Sequence, residues 1–171
     1  LIDGRTPGRE THAMVSYLPE RTAIPPWMSA GQLMDFYEDF YPDFRRQAAE
    51  EMLHHLNIQP KQRIKQMSKG TREKVQLILA MSRQAKLYLL DEPIGGVDPA
   101  ARDYILSTIL NNYQKDATVI LSTHLIGDIE PILDEAIFLK DGRVFAHRNA
   151  EELRETEGKS VDAYFREVFK C

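Results

Sequence analysis

The sequence has a single cysteine, no long apolar run and no excess of positive charge. The cysteine is the last of 171 residues, Cys171, so no disulfide can form within the chain, as is usual in a reducing compartment. No apolar stretch approaches the roughly 20 residues that span a bilayer, so any membrane association would run through a partner. The formal net charge is −4, which provides no global positive field and argues against a nucleic-acid partner.

What the chain does contain is a globular composition, with 43% hydrophobic and 28% charged residues. Continuous apolar runs at 87–90 and 117–121 predict strands buried inside a sheet. They alternate with segments of helical periodicity, and Asp141-Gly142 between two further apolar runs predicts a tight hairpin. This alternation predicts an α/β fold with a parallel sheet and an inserted helical subdomain.

The helical subdomain has two expected helix starts. Ser29 is a suitable N-cap for a first helix rich in aromatic residues, and Asp43 is the expected start of a second. The aromatic residues of the first helix are Phe36, Tyr37, Phe40 and Tyr41. We expect most of this stripe to be subdomain core.

Two adjacent carboxylates, Asp91 and Glu92, follow the apolar run at 87–90. An apolar strand that ends in two acids places both at the carboxyl edge of the sheet, where open α/β sheets bind ligands. One acid can support Mg²⁺ through water, and the other can orient or deprotonate an attacking water. The structural alternative is a strand that stops at a solvated turn with surface acids.

Three further motifs surround these acids. The run at 68–71 leads into a helix, where a hydroxyl and exposed amides form an anion site. The run at 95–99 follows the acids, and the run at 122–124 follows the second apolar strand and ends in a histidine that can hydrogen-bond a terminal phosphate. Each motif alone is also explained as an ordinary helix cap or loop.

Together and in this order, the four motifs resemble the ATP-binding-cassette (ABC) ATPase family from about Val15 to the end of the chain. The resemblance implies that Asp91 supports Mg²⁺, that Glu92 is the catalytic glutamate and that His124 senses the γ-phosphate. It implies that Asp98, in the D-loop, communicates across a dimer. The signature residues expected to meet ATP held by the opposite subunit are Ser68, Lys69, Gly70 and Thr71.

Two positions depart from the commonest family pattern. The usual signature is Leu-Ser-Gly-Gly-Gln, and here Met67, Lys69 and Thr71 replace three members while the phosphate-facing serine and glycine remain. Glu20 stands at the Q-loop position in place of glutamine, where a carboxylate can still reach Mg²⁺ or water. Both variants are similar to the branch of the family that is paired with ABC-2-type exporters.

No Gly-x-x-x-x-Gly-Lys-Ser/Thr sequence occurs in the chain. This P-loop supplies the amides and the lysine that neutralise the β- and γ-phosphates, and in the family it precedes the Q-loop. Two explanations are open: the chain is truncated upstream of Leu1, which we favour, or the natural protein lacks this element. In either case we expect the chain alone to bind Mg-ATP poorly. The missing strand would lie near the strands at 87 and 118, so we also expect an open apolar edge and a dimer or larger assembly.

The resemblance implies a partial P-loop NTPase core in three segments. Residues 1–26 would end the first part of the core with the Q-loop, 27–85 would form the helical subdomain with the signature, and 86–171 would complete the core. The intact protein would be a cytoplasmic ATPase that uses ATP and Mg²⁺, pairs with a second nucleotide-binding subunit and drives a membrane permease, in the manner of an exporter. Two alternatives remain: a non-transport ABC ATPase acting on ribosomes or DNA, and a catalytically silent subunit.

Overall fold

The computed structural model describes residues 1–95, 97 and 99–169. These residues group into two compact units, 1–123 and 124–171. The first unit contains the sheet and the helical subdomain, and the second contains a hairpin with its own helices.

Three parallel strands form the sheet of the first unit, in the order β1, β2, β3. Strand β1 spans Val15–Leu18, β2 spans Leu87–Asp91 and β3 spans Thr118–Ser122. β2 pairs with β1 on one side and with β3 on the other. The predicted fold class, α/β with a parallel sheet and a helical subdomain, is confirmed.

Burial differs between the central strand and its neighbour. In β2 the side chains of Tyr88 and Leu90 are buried, as expected for the middle strand. In β3 the prediction of a buried strand is wrong, because its residues alternate between exposed and half-buried and Ile120 is 51% exposed. β3 lies at the edge of the described sheet, and a run of apolar residues in the sequence does not distinguish an edge strand from a central one.

The first two helices of the subdomain are present, with one displaced start. Helix α2 spans Ala30–Phe40 and begins after Ser29, as predicted. Ser29 Oγ accepts a hydrogen bond from the Gln32 amide at 3.2 Å, and the Gln32 side chain accepts one from the Ser29 amide at 2.9 Å. Helix α3 spans Arg46–His55, so the prediction that Asp43 begins this helix is wrong.

The other helices of the first unit follow in chain order. Helix α4 spans Lys69–Met81 and α5 spans Pro99–Asn112. A short 3-10 turn at Ile64–Gln66 precedes α4. A four-residue helix, α1, spans Arg9–His12 near the start of the chain.

Helices α2, α3 and α4 pack around one apolar core. Its buried side chains come from the three helices and from the segments that join them: Ala30, Leu33, Met34, Phe44, Ala49, Met52, Leu53, Ile58, Ile64, Met67, Val75, Ile78 and Leu79. Burying one such side chain stabilises a fold by about 1.5–3 kcal/mol. Ile64 and Met67 of this core directly precede α4, so the core fixes the start of that helix.

The aromatic stripe of α2 divides into two pairs. Tyr37 and Tyr41 pack against the helical core. Phe36 and Phe40 point away from it and are 45% and 65% exposed, with their ring centroids 4.5 Å apart. The expectation that most of the stripe is core therefore holds for the two tyrosines only.

Arg83, which follows α4, ties three segments of the first unit together. Its Nε donates to Asp43 Oδ1 at 2.6 Å, and its terminal nitrogens donate to the carbonyls of Ala13 and Val15 at 2.8 and 3.3 Å. The guanidinium also lies 3.7 Å from the centre of the Tyr41 ring. Asp43 is thus occupied as an ion-pair partner and does not cap α3.

The second unit is built on an antiparallel hairpin. Strands β4, Glu135–Lys140, and β5, Arg143–Asn149, are joined by Asp141-Gly142, as predicted. Both turn residues have positive φ, 49° and 72°, which is the conformation that this residue pair favours in tight hairpins. The hairpin carries a bulge between Phe138 and Leu139.

Three helices accompany the hairpin in the second unit. They are α6, Ile126–Ile129, α7, Ala150–Thr156, and α8, Val161–Phe169. The core consists of Phe138, Ala150, Leu153 and Val161. Among the helices described in either unit, none has the length and apolar character needed to cross a bilayer.

Candidate functional site

The two acids predicted to carry chemistry lie where β2 ends. Asp91 is the last residue of the strand, and Glu92 is the next residue in the chain. β3 runs parallel to β2 with Ser122 opposite Asp91, so the ends of the two strands meet at one edge of the sheet. Both acids are half-buried, and this is the edge at which open α/β sheets bind ligands.

Each acid accepts a hydrogen bond from a hydroxyl at the end of β3. Ser122 Oγ donates to Asp91 Oδ1 at 2.5 Å, and Thr123 Oγ1 donates to Glu92 Oε2 at 3.1 Å. Two consecutive hydroxyls therefore hold two consecutive carboxylates. In this motif the sequence predicts a role for the histidine only. The signal that was available is the pairing of parallel strands, which predicts that residues following β2 and β3 meet.

Hydrogen bonds hold the backbone of Glu92 as well as its side chain. Its φ is +47°, in the left-handed region that non-glycine residues seldom adopt. Its amide donates to the Ser122 carbonyl at 2.9 Å, and its carbonyl accepts from the Gly95 amide at 3.0 Å. A Cβ on Gly95 would lie 3.2 Å from Glu92 Cβ and 3.3 Å from Oε2, so glycine allows this close approach.

Glu20 lies at the same edge of the sheet, after β1. Leu18 is opposite Leu90 in the parallel pairing, and Glu20 follows Leu18 by the same two residues by which Glu92 follows Leu90. Glu20 is exposed. Its position is compatible with the Q-loop assignment, and its role stays a prediction.

Gln76, in the middle of α4, holds both sides of the loop that carries Glu20. Its side-chain amide donates to the Pro19 carbonyl at 3.2 Å and accepts from the Ala23 amide at 2.8 Å. Gln76 is buried, with 5% of its surface exposed, and the sequence analysis did not identify it. The available signal was one polar residue between Val75 and Leu77, on a helix face that is otherwise apolar.

The signature residues lie at the beginning of α4. Ser68 is its N-cap, and Ser68 Oγ accepts from the Thr71 amide at 3.2 Å and lies 2.8 Å from Thr71 Oγ1. Lys69 is exposed and 3.7 Å from Glu73, and the space around Gly70 is open. The ordinary capping role is thus fulfilled, and the approach to the first-turn amides from solvent is open. Phosphate binding here stays a prediction.

Two predicted site residues are placed differently. Asp98, the D-loop residue, lies outside the described residues, as does Gly96. His124 directly follows Thr123 in the chain and is the first residue of the second unit. The roles of both stay predictions.

No group of three or more His, Cys, Asp or Glu side chains that could enclose a metal ion is found in the part of the chain that the structure describes. This arrangement still fits Mg²⁺, because Mg²⁺ keeps several waters and is usually bound by one or two carboxylates together with substrate phosphates. Asp91 provides such a carboxylate, and Glu20 and Glu92 follow the adjacent strand ends.

The chain is similar to proteins of one functional class. The ABC transporter ATP-binding protein YtrB of Bacillus subtilis (strain 168) is 25% identical over 142 residues, which are 82% of this chain and 49% of YtrB. The SkfA peptide export ATP-binding protein SkfE of the same organism is 25% identical over 150 residues, which are 84% of this chain and 63% of SkfE. The chain spans about half the length of the first curated relatives it matches.

The fold of the chain is also similar to that of a solved structure. The solved structure of the ATP binding subunit of an ABC transporter superposes with a TM-score of 0.80 at 24% identity, over 92% of this chain and 69% of that one. The sequence profile of the family described as "AAA domain, putative AbiEii toxin, Type IV TA system" matches residues 20–127. The similarity to ATP-binding proteins of ABC transporters confirms the resemblance that the motifs indicate. The match to the sequence profile shows that the chain belongs to this AAA-domain family.

Proposed function

We propose that the chain is part of an ATPase subunit that powers an ABC transporter. The observation that carries the proposal is the pair of acids at the end of β2, each held by a hydroxyl from the end of β3 at 2.5 and 3.1 Å. Half-buried acids that are held in one orientation at a ligand-binding edge are suited to general-base catalysis or to support of a metal ion. Acids at a solvated turn would not need these partners.

Glu92 would act as the general base. Its carboxylate orients the water that attacks the terminal phosphate of ATP and accepts a proton from it, a role usually worth about 10²–10⁴ in rate. Asp91, with Glu20 nearby at the same edge, would support Mg²⁺ through water. When bound, Mg²⁺ neutralises charge that develops on the phosphates. His124 would hydrogen-bond the γ-phosphate.

The nucleotide would be shared between two subunits. Ser68, Lys69, Gly70 and Thr71 would contact ATP bound to the partner subunit, using the partial positive charge at the start of α4. Gln76 supports this arrangement, because it joins α4 to the loop of Glu20. Asp98 would connect the two sites across the dimer. The three segments 1–26, 27–85 and 86–171 would then serve as core, helical subdomain and core.

The chain, which has no P-loop sequence, is expected to bind Mg-ATP weakly. Calorimetric titration of the 171-residue chain with Mg-ATP is expected to give a dissociation constant weaker than about 1 mM, and no measurable hydrolysis, because the amides and lysine that cradle the phosphates are not in this sequence. The same chain joined to a P-loop segment is expected to bind in the micromolar range and hydrolyse ATP. Micromolar binding by the chain alone would contradict the proposal.

The membrane partner would dock in a cleft beside the Glu20 loop. This cleft has a volume of about 460 Å³ and is lined by β1, the loop after it, α2 and α4, including Tyr17, Tyr37, Tyr41 and Gln76. Tyr17 is 57% exposed and provides aromatic surface at the cleft. A groove with aromatic walls suits one face of an amphipathic helix, here a cytoplasmic helix of the permease. The protein would thereby lie at the inner face of the membrane, as a subunit of an exporter.

A substitution tests this docking site. Tyr17→Asp in the intact protein is expected to reduce co-purification with its permease at least about tenfold, because a carboxylate replaces buried aromatic surface in the interface. Basal ATP hydrolysis is expected to stay within about twofold, since surface changes away from the reacting groups cost little. Leu110→Asp, at a side chain 44% exposed on α5, is the matched control. Equal retention of the permease by both variants would refute the docking site.

A further inference from the structure

Thr123 contacts the proposed general base directly through its side chain. It follows β3, and its hydroxyl donates to Oε2 of Glu92 at 3.1 Å. The same oxygen would be only 3.3 Å from a Cβ at position 95, where the chain has glycine. Oε2 therefore lies close both to the Thr123 hydroxyl and to Gly95.

The backbone leaves Glu92 little other freedom. Its amide is bonded to Ser122 and its carbonyl to Gly95, at 2.9 and 3.0 Å, and its φ of +47° is strained for a residue with a side chain. With the main chain fixed, the orientation of the carboxylate depends on the side-chain torsions alone. The hydrogen bond from the Thr123 hydroxyl to Oε2 restrains these torsions.

We infer that Thr123 is a positioning residue, which holds the Glu92 carboxylate in the orientation needed to activate water. The inference rests on the proposed function, because it assigns Thr123 a role through the general base. A base must hold its proton-accepting oxygen at hydrogen-bonding distance from the water, and a misplacement of about 1 Å can cost 100-fold in rate. Ser122 would hold Asp91 in the same way, from the neighbouring position.

The test is steady-state ATP hydrolysis by the intact protein carrying Thr123→Val, which keeps the shape of the side chain and removes its hydroxyl. We expect kcat to fall about tenfold, since a hydrogen bond to a charged group is lost, and KM for ATP to stay within about twofold. Thr123→Ser keeps the hydroxyl and is expected to restore most of kcat. Thr108→Val is the matched control: the Thr108 hydroxyl likewise donates a hydrogen bond, to the Tyr104 carbonyl at 2.8 Å, and we expect an unchanged kcat.

A double variant separates positioning from a general loss of structure. In the Glu92→Gln background, Thr123→Val is expected to lower kcat no further, because Thr123 acts through the carboxylate that is already gone. The inference is overturned if Thr123→Val keeps wild-type kcat, if Thr123→Ser behaves like Thr123→Val, or if the same fall appears in the Glu92→Gln background. If Glu92→Gln itself hydrolyses ATP at the wild-type rate, the proposed function fails, and the role of Thr123 fails with it.

Discussion

Replacing Arg83 with methionine is expected to destabilise the first unit by about 3–5 kcal/mol, the cost of breaking a buried ion pair by removing one partner. The Arg83 side chain is 3% exposed and that of Asp43 is 25% exposed. The other carboxylate oxygen of Asp43, Oδ2, is buried without a hydrogen-bond partner among the described residues. Loss of the guanidinium would therefore leave a carboxylate and the carbonyls of Ala13 and Val15 without their donors.

Arg46 provides the matched control for this prediction. It makes three ion pairs, with Asp35, Glu38 and Glu50, at 2.7–3.0 Å, but its side chain is 34% exposed and theirs are 50–61% exposed. Exposed ion pairs contribute about 0–1 kcal/mol each, so Arg46→Met is expected to cost about 1 kcal/mol. Urea denaturation followed by circular dichroism measures both variants. Similar losses for the two would show that burial does not decide the contribution of Arg83.

Most of the fold could be predicted from the sequence, because its signals are local. Ser29 with Gln32 three residues later specifies a capping box, and Asp141-Gly142 specifies a hairpin turn; the structure contains both. The position of Asp91 and Glu92 also followed from local pattern, since an apolar strand that ends in acids places them at the sheet edge. These features need no knowledge of distant residues.

What could not be predicted depends on residues that are far apart in sequence. Aspartate often caps helices, but the carboxylate of Asp43 instead accepts a hydrogen bond from Arg83, 40 residues later in the chain. Gln76 binds a loop more than 50 residues earlier in the chain. The exposure of Ile120 follows from the position of β3 at the edge of the described sheet, which the sequence of β3 does not reveal.

In the candidate site, too, some features follow from local sequence and others depend on contacts between distant residues. The sequence identifies the acids by type and order, and the fold adds the hydroxyls that hold them. Thr123 follows Glu92 by 31 residues, and only the parallel pairing of β2 with β3 brings the two together. The sequence motifs therefore predict the acids of the candidate site, whereas the hydroxyls that contact these acids are found only from the pairing of the strands.

The largest catalytic effect is expected for Glu92→Gln in the intact protein. Glutamine keeps the size of the side chain and can still meet the Thr123 hydroxyl, but it cannot accept a proton from water. We expect kcat to fall by at least about 100-fold, in the range of general-base catalysis, with little change in KM for ATP. Because hydrolysis is blocked after binding, the variant is expected to retain ATP and to accumulate as the ATP-bound dimer.

A single-turnover measurement of ATP cleavage by wild-type and Glu92→Gln protein, with bound nucleotide and dimer fraction recorded on the same samples, tests the central claim most directly. If the carboxylate after β2 activates the water, the variant will hold uncleaved ATP while wild type releases ADP. If both proteins cleave ATP at the same rate, Glu92 is not the base and the account of this site is wrong.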